Sequence, residues 1–170
     1  CKVIDAATGK TLDEIVVDLP QADGPVWKWM ALVDGVLYAI VGGKEVAIHR
    51  QPSDTPGLGH WPWGMWGGHD YKDPRTAFGY GRTLVAMDRH SGRILWHYRD
   101  NEFLDARAVC MRNGRIYCYC PEKFIACVDA QDGTLIWKNS DASLLEAIGP
   151  NEKAQHYITG YATTCYMKCS

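Results

Sequence analysis

The side chains best able to bind or react are concentrated in one stretch, His60-Trp61-Pro62-Trp63-Gly64-Met65-Trp66-Gly67-Gly68-His69-Asp70-Tyr71. Trp61, Trp63 and Trp66 could form a stacking platform for a sugar, a quinone or a protein partner. His60, His69 and Asp70 would supply polar contacts beside it. Imidazole and carboxylate also suit zinc or copper, but the spacing matches no zinc motif, so no metal is assigned. A structural role competes with the platform. Large aromatics prefer burial, and the same rings would then plug the segment onto its own sheet.

Other chemistry is poorly supported. Gly57-Leu58-Gly59 and Gly79-Tyr80-Gly81 lack a third glycine at the right offset and a following helix, which argues against a nucleotide loop. No serine carries a local nucleophile signature, and no catalytic residue is assigned. The seven cysteines are odd in number. A two-residue turn at Asn113-Gly114 sets Cys110 opposite Tyr117 and Cys118 opposite Val109. Cys110 and Cys118 then lie on opposite sheet faces and cannot bridge. Cys118 is expected opposite Ile125, with Cys127 only diagonal to it. Cys165 and Cys169 would stand about 13 Å apart in a strand. The expectation is buried free thiols behaving as small apolar residues.

These residues need elements to position them, and composition narrows the choice. The chain has 170 residues, 18 Lys+Arg against 20 Asp+Glu, and a net charge of −2. That balance gives no reason to expect nucleic acid or an anionic membrane as partner. No apolar run approaches the ~20 residues of a membrane-spanning helix, and no basic-then-apolar leader opens the sequence. Frequent glycine between short apolar runs points to an all-β protein.

A repeat is the main signal. Asp5 is followed by Gly9, Asp88 by Gly92, and Asp129 by Gly133, each pair four residues apart and flanked by apolar runs. Such a unit reads as a tight β-hairpin with a left-handed glycine and an aspartate bonding the turn backbone. Trp96 and Trp137 stand eight residues after their aspartates, where Asp13 stands in the first unit. Both rings are expected to be buried against an adjacent sheet. Asp88 and Asp129 are 41 residues apart, the length of a four-stranded propeller blade. Asp34-Gly35 and Asn113-Gly114 mark an upstream two-residue hairpin in each of the last two units. The larger spacing from Asp5 to Asp88 is explained by an insertion after Gly43.

The expected fold is therefore all-β, about three four-stranded antiparallel blades of a larger β-propeller. Residues 1–22 end one blade and 23–101 form a blade with a long insertion at 44–81. Residues 102–140 form the next, and 141–170 hold a helix-containing connection and the start of another. Strands are expected at 28–33, 36–41, 107–112, 115–120, 123–129 and 134–138, with a further one near 161–167. Asp141 and Gly149-Pro150 bracket a short helix.

The pattern Ala86-x-Asp88-x-x-x-Gly92-x-x-x-Trp96 resembles the tryptophan-docking repeat of quinoprotein alcohol dehydrogenases. It is similar also to that of BamB-like outer-membrane-assembly lipoproteins, which have the pyrroloquinoline-quinone-like propeller without the cofactor. The resemblance implies a ring of about eight blades and an extracytoplasmic, periplasmic location. It does not imply the cofactor. Dehydrogenases of that kind carry a vicinal Cys-Cys pair, and this sequence has no adjacent cysteines.

The expected function is thus a non-catalytic propeller scaffold that presents loops to a protein or glycan partner and packs against the remaining blades of its parent chain. No cofactor is expected. Pyrroloquinoline quinone with Ca²⁺ belongs only to an alternative, a piece of a quinone-dependent dehydrogenase. A second alternative is a carbohydrate-binding propeller that uses the tryptophan-rich insertion.

Overall fold

The computed structural model describes residues 1–43, 80–149 and 167–169. Among these residues the architecture is all-β with one short helix. A two-stranded hairpin pairs β1 (Lys2–Ile4) with β2 (Thr11–Glu14). A first four-stranded antiparallel sheet runs in chain order through β3 (Val26–Val33), β4 (Val36–Gly42), β5 (Tyr80–Asp88) and β6 (Ile94–Asp105). A second is built the same way from β7 (Val109–Arg112), β8 (Arg115–Cys120), β9 (Phe124–Asp129) and β10 (Leu135–Asn139).

Turn chemistry sets the register. Asp34 and Gly35 have φ of 49° and 79°, and Asn113 and Gly114 have 49° and 70°. Positive φ at both central residues defines the primed turn that matches strand twist. Val33 thus faces Val36, and Arg112 faces Arg115. Cys110 pairs with Tyr117 and Val109 with Cys118, as expected.

The next hairpin differs from expectation. Cys118 faces Ala126 rather than Ile125. The turn holds three residues, Pro121, Glu122 and Lys123, and Glu122 takes a φ of 62°. This one-residue shift puts Cys127 opposite Tyr117, on the other sheet face from Cys118.

The core has two layers. Tyr38, Ile40, Leu84, Ala86 and Trp96 from the first sheet meet Val109, Ile116, Cys118, Cys120, Phe124, Ala126 and Val128 from the second. The opposite face of the first sheet, through Leu37, Ala39, Val41, Val85 and Met87, packs on Ile15 and Val17 after the β1–β2 hairpin. β4 and β5 are therefore buried on both faces. Hence their sequences are apolar runs rather than alternating ones.

β6 is long because it bulges. Gly81 pairs with Leu104 and Thr83 with Arg99, so Arg82 alone stands opposite Asp100–Phe103. The bulge carries Asp100 to the second sheet, where it accepts from Lys138 Nζ at 2.6 Å and from Tyr98 Oη at 2.6 Å. Lys138 also lies 3.8 Å over the Phe124 ring.

Cys110 and Cys169 form a disulfide, which corrects the expectation of free thiols at these two positions. These residues are 59 apart in sequence, beyond the reach of any single hairpin or strand. Cys118, Cys120 and Cys127 are buried and unbridged. The helix α1 spans Ala142–Ile148, with the Asp141 carboxylate accepting from the Ser143 amide and Gly149 closing the last turn. No helix among the described residues is long and apolar enough to cross a membrane.

Candidate functional site

The three Asp-x-x-x-Gly turns share one hydrogen-bond scheme. The glycine amide donates to the aspartate carbonyl in each, at 2.8, 2.9 and 3.0 Å for Gly9, Gly92 and Gly133. The aspartate side chains accept from amides inside the turn: Asp5 from Thr8, Asp88 from Ser91, Asp129 from Gln131, each at 2.7 Å. The Thr8 hydroxyl and amide hold the Asp5 carboxyl below its ordinary pKa. The Ser91 amide and hydroxyl do the same for Asp88. Both carboxylates are therefore committed to turn geometry, which is a poor starting point for a catalytic acid.

Each hairpin then slips register just past its turn. Trp96 pairs with Ala86, Trp137 with Cys127 and Asp13 with Val3, each beyond a bulge that leaves one residue unpaired. A bulge at this position re-aims the side chain that follows it. The chain thus aims tryptophan, tryptophan and aspartate from equivalent points.

Trp96 is aimed across the junction between the two sheets. It is 9% exposed, and its Nε1 donates to the Ala130 carbonyl at 3.0 Å. Tyr38 Oη donates to the same oxygen at 3.2 Å, and the two rings lie 6.0 Å apart at 49°. The indole covers Gly133 of the next turn. A Cβ at Gly133 would stand 2.5 Å from Trp96 Cε3, so only glycine leaves room. A notch of about 490 Å³ opens beside the ring, between Val36, Leu95, Asn113 and Gln131.

Trp137 differs from expectation. It is 40% exposed. It packs on Tyr117 at 6.1 Å and 50°, the same arrangement as Tyr38 with Trp96, but no described turn lies over it. The reason is positional: Trp96 is covered by the sheet after its own, and among the described residues no sheet follows β10. Asp13 fills the tryptophan position of the first unit, and nothing approaches within 4 Å of the Cβ position at Gly92. A cavity of about 370 Å³ lies there, lined by Val3, Asp13, Leu37, Arg89 and His90.

Trp61, Trp63, Trp66, His60, His69 and Asp70 lie outside the described residues, as does the strand-like stretch at 45–49. The two ends of their segment are defined. Val41 pairs with Thr83, and a Cβ at Gly42 would stand 3.0 Å from the Tyr80 carbonyl oxygen. Asp23 braces this mouth, accepting from Arg82 Nε at 2.6 Å and from Arg99 at 2.8 Å. The Arg82 guanidinium, with help from Arg99, holds the Asp23 carboxyl below its usual range. Arg107 bonds Asp105 at 2.8 Å and the Tyr80 hydroxyl at 3.0 Å.

Nucleophiles are scarce in this arrangement. Burial pushes the Cys118 and Cys120 thiols up to about 12, far from a reactive thiolate. Burial, then the bond to Asp100, raises the Tyr98 hydroxyl. Among the described residues no three metal-ligating side chains cluster. Tyr38 and Tyr117 were missed from sequence, although both sit three residues after the glycine of an aligned turn. No local pattern signals the Asp100–Lys138 pair, whose members are 38 residues apart. A scan against family models and a search of curated proteins both find no match for the chain.

Proposed function

We propose that the chain is a non-catalytic scaffold of β-propeller blades carrying pyrroloquinoline-quinone-like repeats, and that it presents the insertion between β4 and β5 to a protein or glycan partner. The observation that carries this reading is the seating of Trp96 on Gly133 and the Ala130 carbonyl. It locks one four-stranded meander onto the next through the repeat motif itself. Successive sheets related by one repeated contact are how radial β architectures grow. The paired ends of the insertion, braced by Asp23, suit a loop held out from a rigid support. The Cys110–Cys169 disulfide is consistent with an extracytoplasmic site of action.

The test has two arms. The purified chain is titrated with pyrroloquinoline quinone and Ca²⁺, then assayed for dye-linked alcohol oxidation; neither saturable binding nor turnover is expected. A glycan array and a crosslinking capture are then run on the chain and on a variant with 44–79 replaced by a short Gly-Ser turn. Binding that depends on the insertion supports the scaffold. Stoichiometric quinone binding or turnover overturns it in favour of a dehydrogenase piece.

A further inference from the structure

The third turn of the repeat is bonded differently from the other two. Asp5 accepts from the Ala7 amide, the Thr8 amide and the Thr8 hydroxyl. Asp88 accepts from the corresponding donors of His90 and Ser91. Among the described residues, the Asp129 carboxylate accepts from the Gln131 amide alone. The hydroxyl is missing because residue 132 is Asp, whose carboxylate turns to the Thr134 amide at 2.8 Å. Arg115 faces Asp129 across β8 and β9, yet no ion pair joins them. Asp129 is thus the repeat aspartate least tied to its own turn, and it lines the notch beside Trp96.

The notch opens between the two four-stranded sheets, at the Val36 end of β4, and its volume of about 490 Å³ is that of a small-ligand site. Donors on its wall are already used. Trp96 Nε1 and Tyr38 Oη both donate to the Ala130 carbonyl, the Ala130 amide to Gly114, and the Gln131 amide to Asp129. Acceptors stay open: the Asp129 carboxylate, and the side-chain amides of Asn113 and Gln131, which can turn either end inward. No lining residue is cationic. Burial raises the Tyr38 hydroxyl pKa, and the charges of Asp34 and Asp129 raise it further, so the field at this wall is negative. A sugar hydroxyl must accept as well as donate. A guanidinium brings five donors and accepts nothing, and its planar fork matches a carboxylate edge and stacks on aromatic rings.

We propose that this notch binds an arginine side chain of a partner protein. Asp129 takes the guanidinium, Asn113 and Gln131 turn their carbonyl oxygens to its remaining N–H groups, and Val36, Leu95 and the edge of Trp96 cover the aliphatic stem. The site stands apart from the insertion, which leaves from the Gly42 end of β4, about 20 Å away along the strand. The two readings therefore fail separately: the scaffold on quinone binding or turnover, this one on arginine binding at the notch.

The probe is the tripeptide acetyl-Gly-Arg-Gly-amide, titrated into the isotope-labelled chain and followed by heteronuclear NMR. Saturable shifts are expected at the Trp96 indole N–H and at the Gly114 and Gln131 amides. The same tripeptide with citrulline keeps the shape without the charge and should bind about tenfold more weakly. Asp129→Asn keeps an oxygen for the Gln131 amide, so the turn persists while the charge goes, and should cost about the same factor. Asp5→Asn makes that change in a turn that does not line the notch and should leave binding intact. Leu95→Lys, at a side chain 41% exposed, sets a rival cation beside Asp129 and should abolish the shifts. Replacing 44–79 by a short turn should change nothing here. Circular dichroism and melting check the fold of each variant; should Asp129→Asn unfold, the citrulline peptide and Leu95→Lys decide. No saturable shift at these groups, equal affinity for citrulline, indifference to a folded Asp129→Asn, or methyl glucoside binding at the notch instead would each overturn the proposal.

Discussion

The indole of Trp96 lies so close on Gly133 that a single methyl group at residue 133 would meet the ring at 2.5 Å. Gly92 occupies the equivalent place in the preceding turn and faces open space. The pair separates two effects that a glycine substitution usually mixes. Gly92→Ala should cost about 1–2 kcal/mol, from the left-handed backbone alone. Gly133→Ala should cost about 2–5 kcal/mol, because overpacking against the ring adds to the same backbone strain. Trp96→Ala should cost about 3–5 kcal/mol and remove most of the difference between the two glycines. Urea denaturation of the three variants and the two double mutants is the measurement.

The disulfide should matter to stability over a long loop. Cys110 and Cys169 are 59 residues apart, and closing a loop of that length stabilises by about 4 kcal/mol in the chain-entropy account. Cys110→Ser is therefore expected to lower stability by up to that amount, and a reducing agent should do the same to wild type but not to the variant. Melting with and without dithiothreitol reads both.

The pairing between Asp100 and Lys138 should appear in the acid limb of stability. Burial works against the Asp100 charge, but hydrogen bonds from Lys138 and Tyr98 outweigh it and keep the carboxyl below its ordinary value. A depressed folded pKa means the contribution is fully present above the unfolded value near 3.9 and fades as pH falls through the lower folded value. Asp100→Asn should thus cost about 1–2 kcal/mol at neutral pH, given that Lys138 is one-third exposed. The gap to wild type should close below about pH 4. Denaturation curves between pH 2 and pH 7 test the sign.

Thiol accessibility offers a map of the core. Cys118 and Cys120, pushed up to about 12 by burial, hold roughly a thousandfold less thiolate at pH 8 than an ordinary cysteine. Peptide-resolved alkylation of the folded chain should leave both unmodified while Cys1 reacts. Labelling of Cys118 at a rate near that of Cys1 would mean the interface between the sheets opens readily.

Local chemistry was readable from the chain alone, and contacts across the sheets were not. Asp34-Gly35 and Asn113-Gly114 announced their turns because two residues with positive φ leave few choices of side chain. The strands on either side followed within a residue or two. Pro121-Glu122-Lys123 carried no such mark, and one residue of loop length moved every partner of β9. Cys169 finding Cys110 depends on where the chain returns after α1, which no nearby residue encodes. The exposure of Trp137 has a similar cause: the motif states what the ring can do, while burial depends on what arrives to cover it. Of the site residues expected in the insertion, the structure speaks only to their frame, the Gly42–Tyr80 approach and the arginines on Asp23.

Asp13, standing where Trp96 and Trp137 stand in their own units, sets an order of opening. The junction after the first hairpin has a cavity in place of a ring and a carboxylate in place of an apolar surface, and every residue of β1 and β2 is exposed. Among the described residues, the apolar cluster around Ile15 and Val17, with Cys1 packed against it, ties that hairpin to the first sheet. Local unfolding follows the least-buried contacts, so this junction is a fault line. The amide hydrogens of β1 and β2 will exchange with solvent long before those of β4, β5, β8 and β9, and the two four-stranded sheets will outlast the hairpin as one cooperative body.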